Sequence, residues 1–231
     1  MPIEYVLWIN ALITTFEEYP MNATPWKLDD DDDDDSDCPG CDEKEEGKKE
    51  ESLEKKLQES FLKNRRVFLW GQVDDKSAKE IVARLLYLDT LNHDDIVLLV
   101  NSPGGVITSG TAILDTMDAV KSDIVTVVMG QAASMGAVIA AYGKKGKRYA
   151  WKRSRVMIHQ PLISGTMYGP ASDIQIQAEE MLRIRRELNQ LLADASGKSL
   201  EQLEADTDRD NIMTASEALE YGLVDKVENF S

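Results

Sequence analysis

The sequence predicts an α/β fold built from repeated β/α units. Short β-branched, apolar runs of strand length recur along the chain, and segments with helical patterns separate them. A change of composition near residue 60 divides this predicted domain, residues 61–231, from an acidic segment at 1–60. Residues 61–231 are long enough for one domain with a substantial core.

The predicted elements alternate between strand and helix. The first five, in chain order, are a strand at Val67–Trp70, a helix at Lys76–Leu91, a buried strand at Ile96–Val100, a helix carrying Ile113, Leu114, Met117 and Val120, and a strand at Ile124–Met129. The helix at Lys76–Leu91 has Ala78, Ile81, Val82, Leu85 and Leu88 on one face. The remaining elements are a small-residue helix at Met135–Tyr142, short strands near Arg148–Trp151 and Val156–His159, a long amphipathic helix over Ala171–Ala195 and a last helix after Thr214.

Two helix ends carry capping signals. Gly197 follows the long helix and is placed to act as its C-cap. Thr214 and Glu217 have the spacing of a capping box, which indicates the start of the last helix.

Residues 1–60 hold most of the charge of the chain. They contain 6 lysines and 19 acidic residues, including the aspartate run Asp29–Asp35, and so carry a net charge of −13. The net charge of the whole chain is −16. Such a segment cannot bury a core, so we expect it to be disordered. Its opening apolar stretch is too short for a membrane span and is a poor secretory signal. The negative charge also argues against nucleic-acid binding.

The two cysteines, Cys38 and Cys41, form a single CxxC motif in this segment. No second Cys or His pair completes a zinc site, so a linker role is favoured over a metal or redox role. Because the two cysteines lie so close together, we expect no disulfide in the core. This fits a reducing compartment and a cytoplasmic location.

The most informative motif is GQAASMGA at residues 130–137, in which Ser134 lies between a predicted strand and a predicted helix. A hydroxyl at a helix start lies among unpaired N–H groups and near the positive end of the helix dipole, both of which favour a nucleophile. The same position suits an ordinary serine N-cap, and local sequence alone favours that interpretation.

A serine nucleophile requires a general base, and the chain contains two histidines. His93 lies in a polar turn and is interpreted as a solvated loop residue. His159 ends an apolar strand, where site residues are common, although a structural role fits that position equally well.

A buried carboxylate would have to orient the imidazole. The candidates are Asp206, Asp208 and Asp210, and spacing does not choose among them because a triad is assembled in space.

Together these motifs resemble the Clp protease family, specifically its proteolytic subunits. The resemblance covers about Phe61–Glu228 in the family's order. It rests on GQAASMGA with Ser134, MIHQP with His159, DTDRD ending in Asp210, NSPGGVIT at 101–108, GQV at 71–73, GKR at 146–148 and EYGLVD at 220–225.

The resemblance implies a ClpP/crotonase-type fold with a protruding strand-helix handle. It implies a serine endopeptidase that cleaves unfolded proteins to short peptides. Gly105, which follows a buried strand and a Pro-Gly turn, would allow close backbone approach to a ligand. The implied site consists of Ser134 as nucleophile, His159 as general base and then acid, Asp210 as orienting carboxylate in preference to Asp206 and Asp208, and the backbone N–H groups of Gly105 and Met135 as oxyanion hole.

The resemblance also implies self-assembly into heptameric rings, two of which would stack into a tetradecamer. ATP would be hydrolysed by a separate AAA+ Clp unfoldase, with no cofactor or metal bound by this chain, and no GxxxxGK[ST] phosphate loop occurs in the sequence. Arg209 resembles an arginine that links assembly to activity in the family. The handle departs from the family pattern, because residues 162–172 are longer than usual and lack the glycine pair after Leu162.

Three alternatives remain open from the sequence. The chain is compatible with a non-catalytic ring subunit, with a crotonase-type acyl-CoA enzyme that shares the fold and oxyanion hole, and with a Ser-Lys peptidase using Lys144 or Lys145. An α/β-hydrolase does not fit, because Ala132 replaces the first glycine of GxSxG and the partners occur in the order serine, histidine, acid.

Overall fold

The computed structural model describes residues 53, 55–162 and 169–228. Its elements alternate as the sequence predicts. In chain order they are α1 (55–63), β1 (Arg66–Trp70), α2 (Asp75–Leu91), β2 (Ile96–Ser102), α3 (Ile107–Ala119), β3 (Ile124–Ala133), α4 (Met135–Ala141), β4 (Arg148–Ala150), β5 (Arg155–Ile158), α5 (Ala171–Ser196), α6 (Leu200–Asp206), β6 (Asn211–Thr214), α7 (Ala215–Tyr221) and β7 (Lys226–Val227).

The strands form one sheet, in which β1, β2, β3, β4 and β7 lie side by side and parallel. Strand β3 changes neighbours along its length, because Thr126–Val128 pair with β4 whereas Gln131–Ala133 pair with β5. Strand β6 joins β5 in the antiparallel direction. Parallel pairing needs crossover connections, which α2, α3 and α4 provide. The α/β class predicted from the sequence is confirmed.

The core lies on both faces of the central strands. Helices α2, α3 and α4 cover one face, and their apolar side chains pack with those of β1, β2 and β3. On the opposite face, Val97 and Leu99 of β2 pack with Val125 and Val127 of β3. Burial on both faces explains why β2 is a continuous apolar run rather than an alternating pattern.

The helix ends follow their sequence signals. Gly197 adopts a left-handed conformation with φ 78° and caps α5, as predicted. Thr214 and Glu217 form the predicted capping box of α7. No helix in the described part of the chain is long and apolar enough to cross a lipid bilayer.

The structure differs from the sequence prediction in its short elements. Strand β3 continues to Ala133, four residues past the predicted end. Helix α6 and strands β6 and β7 were not predicted, because elements of two to seven residues show no clear periodicity.

Helix α1 crosses the boundary placed between residues 60 and 61. Glutamate and lysine are good helix formers, and Phe61 anchors the helix by packing edge-on against Phe68 of β1, with ring centroids 4.8 Å apart. The rest of the acidic segment, including Asp29–Asp35 and both cysteines, lies outside the described residues. So do residues 163–168, where the handle departs from the family pattern.

Arg148 is the main buried charge of the fold, with only 2% of its side chain exposed. Its guanidinium donates to the carbonyl oxygens of Ala141, Ala195 and Gly222, which lie at the ends of α4, α5 and α7. It also donates to both carboxylate oxygens of Asp225, at 2.9 and 2.7 Å. One side chain therefore joins three helix C-termini, where positive charge is favourable.

The charge of Arg148 is balanced by Asp225. Burial raises the pKa of the Asp225 carboxyl, but hydrogen bonds from Arg148 and from the Gly146 amide outweigh burial and hold the pKa below its ordinary value. The contribution of this carboxylate to stability is therefore present above the ordinary pKa and is lost as the pH falls through the lowered one.

Replacing Asp225 with alanine should lower the free energy of unfolding by about 3–5 kcal/mol, because it leaves the buried guanidinium unpaired. Urea unfolding near neutral pH measures this loss. Glu180→Ala is the matched control, since it removes an exposed helical pair with Arg183 and should cost less than about 0.5 kcal/mol. Equal losses in the two variants would contradict the assignment of Arg148 as a structural hub.

Candidate active site

Ser134 is the single residue between β3 and α4, and its backbone is strained. Its φ is 54° and its ψ is −125°, a combination that residues with a side chain rarely adopt. The sequence favoured an ordinary N-cap here, but the Ser134 hydroxyl makes no capping hydrogen bond. The hydroxyl is thus not used to cap the helix. A strained turn of this kind at a strand-helix junction points to a functional role.

The turn of Ser134 is enforced by its neighbours. Its N–H donates to the carbonyl oxygen of Met157 in β5, at 2.9 Å, and its carbonyl oxygen accepts from Ala137 and Val138 of α4. On the other side Gly104 lies so close that a Cβ atom there would be 2.7 Å from Ser134 Cβ and 2.6 Å from the Ala133 oxygen. No residue other than glycine fits at position 104 without moving Ser134.

Gly105, predicted as one oxyanion donor, presents a free N–H group. The Val73 N–H donates to the Gly104 oxygen, and the Val73 oxygen accepts from the Val106 N–H. These two bonds form a parallel bridge between Val73 and Gly105. In such a bridge the N–H of the central residue points away from the neighbouring strand. Among the described residues the Gly105 N–H has no acceptor, and Gly105 lines the cavity that contains Ser134.

Met135, the other predicted donor, is the first residue of α4. The first N–H groups of a helix have no partner within it, so the Met135 N–H remains available beside the Ser134 hydroxyl. The structure therefore brings two residues with unpaired backbone donors to the cavity that Ser134 also lines. Such a pair suits a developing negative charge on a carbonyl oxygen.

His159 follows the end of β5, next to Ser134. Strand pairing sets Ala133 opposite Met157, so His159 lies two residues beyond that pair on the adjacent strand. Ser134 and His159 line one cavity. No hydrogen bond joins their side chains in the described residues, and such bonds commonly tighten only with substrate bound.

Asp210 is brought to His159 by the antiparallel pairing of β5 with β6. The ladder ends with Ile158 opposite Asn211, so the next opposed pair is His159 and Asp210. Opposed side chains in such a ladder are near neighbours, and His159 Nδ1 lies 3.2 Å from Asp210 Oδ1. The expectation of a buried carboxylate was wrong, because 65% of the Asp210 side chain is exposed.

The other two aspartates have different partners. Asp206 accepts from the Tyr221 hydroxyl at 2.7 Å. Burial, together with this hydrogen bond, raises the pKa of the Tyr221 hydroxyl above its ordinary value. Asp208 lies 3.8 Å from both Arg185 and Arg209, and the Arg209 side chain is 89% exposed. Of the three candidates, only Asp210 contacts His159 in the described residues.

The cavity beside Ser134 has a volume of about 580 Å³ and mainly apolar walls. One wall is a face of α5 that the sequence predicted only as part of an amphipathic helix. Apolar residues at positions 181, 184, 188 and 192 are the signal for this wall, because they share one face of the helix. The sequence analysis also did not single out Gly104, although it is the first glycine of the SPGG motif.

A buried amide also lines the cavity. Asn189 of α5 is only 2% exposed, and its side-chain oxygen lies 3.1 Å from the Thr207 hydroxyl. The Asn189 side-chain nitrogen has no hydrogen-bond partner among the described residues.

The lysine alternative is contradicted by the positions of the residues. Lys144 forms an ion pair with Asp123 at 2.9 Å, and its N–H donates to Ile124, the first residue of β3. Ser134 follows the last residue of β3, so the two ends are separated by roughly 30 Å at the rise of an extended strand. Lys145 lies in the same exposed loop.

His93 occupies the solvated position predicted for it. More than half of its side chain is exposed, and Nδ1 lies 3.1 Å from Asp89 at the end of α2. No cluster of three or more His, Cys, Asp or Glu side chains suited to a metal ion occurs among residues 53, 55–162 and 169–228.

A family model described as Clp protease matches residues 48–230, which is more than half of the chain and includes all the candidate site residues. The match begins within the acidic segment, before helix α1.

Replacing Gly104 with alanine should slow phosphonylation of Ser134 by a fluorophosphonate at least about 100-fold, because the new methyl group displaces Ser134 and its donors. Labelling followed by mass spectrometry measures the rate. Gly146→Ala is the matched control, since Gly146 has the same φ of +87° but nothing within 4 Å of the added atom. Wild-type labelling rates in Gly104→Ala would contradict the steric argument.

Proposed function

Because the chain belongs to the Clp protease family, we propose that it is the proteolytic subunit of an ATP-dependent Clp protease. Its reaction is the hydrolysis of peptide bonds in unfolded proteins by a serine endopeptidase. The observation that carries the proposal is one cavity lined by Ser134, whose hydroxyl caps no helix, by Gly105 and Met135, whose N–H groups are unpaired among the described residues, and by His159. The His159 side chain in turn forms a pair with Asp210.

Ser134 is the proposed nucleophile. Its Oγ attacks the carbonyl carbon of a peptide bond while His159 accepts the hydroxyl proton. Negative charge that develops on the carbonyl oxygen is stabilised by the N–H groups of Gly105 and Met135, and each such donor is worth about 10²–10³ in turnover. Asp210 accepts a hydrogen bond from Nδ1 of His159, which leaves Nε2 facing the serine and stabilises the imidazolium.

The two products leave in separate steps. His159 donates its proton to the departing amine as the C–N bond breaks, and an acyl-enzyme ester on Ser134 remains. Water then attacks the ester carbonyl as His159 accepts its proton. Breakdown of this intermediate returns the proton to Ser134 and frees the carboxylic acid. The apolar cavity accommodates an apolar side chain of the substrate during both halves.

The proposal includes assembly and a partner. The chain forms heptameric rings, two of which stack to enclose the active sites, and a separate AAA+ Clp ATPase unfolds substrates and hydrolyses ATP. The peptidase reaction itself needs only the side chains and backbone groups named above, and we propose that it operates in the cytoplasm. Family membership supports assembly with a Clp ATPase.

The other candidate functions have less support. A non-catalytic subunit would have no requirement for a serine and a histidine that line one cavity, with an aspartate paired to the histidine. An acyl-CoA enzyme of crotonase type would share the fold and the oxyanion hole, but the family match favours the peptidase.

Ser134→Ala and His159→Ala should each reduce hydrolysis of a short fluorogenic peptide by at least about 10⁴-fold, because each removes a group that acts in the transition state. His93→Ala is the matched control for the only other histidine and should retain wild-type turnover. Equal activity in wild type and Ser134→Ala would contradict the proposal.

Asp210→Asn should reduce turnover at least about 100-fold, because an amide neither stabilises the imidazolium nor holds the correct tautomer. The same change at Asp208, two residues away and 56% exposed, should leave turnover within about twofold of wild type, as expected for a weak surface ion pair. A larger loss in Asp208→Asn than in Asp210→Asn would assign the third role to Asp208.

A further inference from the structure

The orientation of Asp210 needs an explanation, because burial does not fix it. Its side chain is mostly exposed, and it lies in the short connection between α6 and β6. The β5–β6 ladder ends one residue before the His159–Asp210 pair. Beyond the ladder, other contacts have to hold the connection in place.

Gln160 supplies two such contacts from the residue after His159. Its backbone N–H donates to the carbonyl oxygen of Thr207 at 2.6 Å. Its side-chain Nε2 donates to the carbonyl oxygen of Asp208 at 2.8 Å and lies 3.5 Å from an Asp208 carboxylate oxygen. Both nearby oxygens are acceptors, so the amide must direct its nitrogen toward them.

The Thr207 hydroxyl also bonds to the Leu203 oxygen at 2.7 Å and to Asn189 at 3.1 Å, but these contacts hold only the start of the connection. Arg185 lies 3.8 Å from the Asp208 carboxylate and 3.4 Å from the Glu204 oxygen. Neither contact reaches the backbone between Asp208 and Asp210. The Gln160 side chain therefore makes the shortest side-chain contact to the backbone that carries Asp210.

We propose that Gln160 is a positioning residue that holds Asp210 against His159. The inference rests on the proposed peptidase function, because it assigns Gln160 a role only through the Asp210 carboxylate. The backbone contact fixes where the connection begins, at Thr207. The side-chain contact fixes the plane of the Asp208 peptide and so limits the directions in which Asp210 can point.

The test replaces Gln160 with methionine, which has a similar length and lacks the donor. We expect kcat for a fluorogenic peptide to fall about tenfold, since small misplacements of a catalytic group are costly. KM should stay within about twofold, because Gln160 does not contact the cavity. Gln160→Glu keeps the shape but directs an acceptor at the Asp208 oxygen, and its loss should be at least as large.

Gln202→Met is the matched control. Gln202 also donates from its side chain to an aspartate, Asp206 at 2.8 Å, on the same stretch of chain, but it has no contact with the connection to β6. This variant should retain wild-type kcat. Thermal unfolding of each variant checks that the fold is intact.

A double-mutant cycle separates positioning from a general structural role. In an Asp210→Asn background, Gln160→Met should change kcat by less than about twofold, because the carboxylate that it positions is already absent. Equal fold losses in both backgrounds would overturn the inference, as would unchanged kcat in Gln160→Met. If turnover did not depend on Ser134, the proposed function would fail and this inference with it. Ser134-dependent turnover that is insensitive to Gln160 would overturn this inference alone.

Discussion

The candidate site depends on one steric constraint, the contact between the backbone of Gly104 and Ser134. An added Cβ at Gly104 would overlap Ser134 and the carbonyl oxygen of Ala133. Because the two segments touch at this point, the connection after β2 is fixed relative to the end of β3. Gly105 and Met135, which carry the two unpaired N–H groups, then line one cavity with the serine. The parallel pairing of β2, β3 and β5 brings these strand ends to one edge of the sheet, where sites in open α/β sheets are commonly found.

The strain at Ser134 has to be offset elsewhere, and the packing of α4 supplies much of that support. All seven residues of α4 are buried, and most are small, so the helix lies close to β2 and β3. Thr126 of β3 donates to the Ala140 oxygen at 2.7 Å, and Arg148 donates to the Ala141 oxygen. These bonds hold the C-terminal end of the helix. Its N-terminal end therefore cannot shift to relieve the backbone of Ser134.

The sequence contained most of the fold and part of the site. Local patterns predicted strands, helices and caps because their signals lie within a few residues, and they placed Ser134 and His159 at element ends. The choice among Asp206, Asp208 and Asp210 could not be made from spacing, because it depends on the β5–β6 register. That register depends on two four-residue strands, one of which was not predicted. The strain at Ser134 was also not predictable, since it results from the distant contact with Gly104.

The three side chains of the site are held with unequal firmness. Ser134 is fixed by its backbone, and His159 is only 13% exposed and follows a strand inside the sheet. Asp210 is exposed and lies in a connection that the Gln160 hydrogen bonds hold to the rest of the site. Because the carboxylate orients and stabilises a charged imidazole, a small shift of this connection changes reactivity without unfolding the core. Arg209, the neighbour of Asp210, extends into solvent from the same connection. A contact made at this exposed position would therefore act first on the orientation of Asp210, whereas Ser134 and the backbone donors would stay in place.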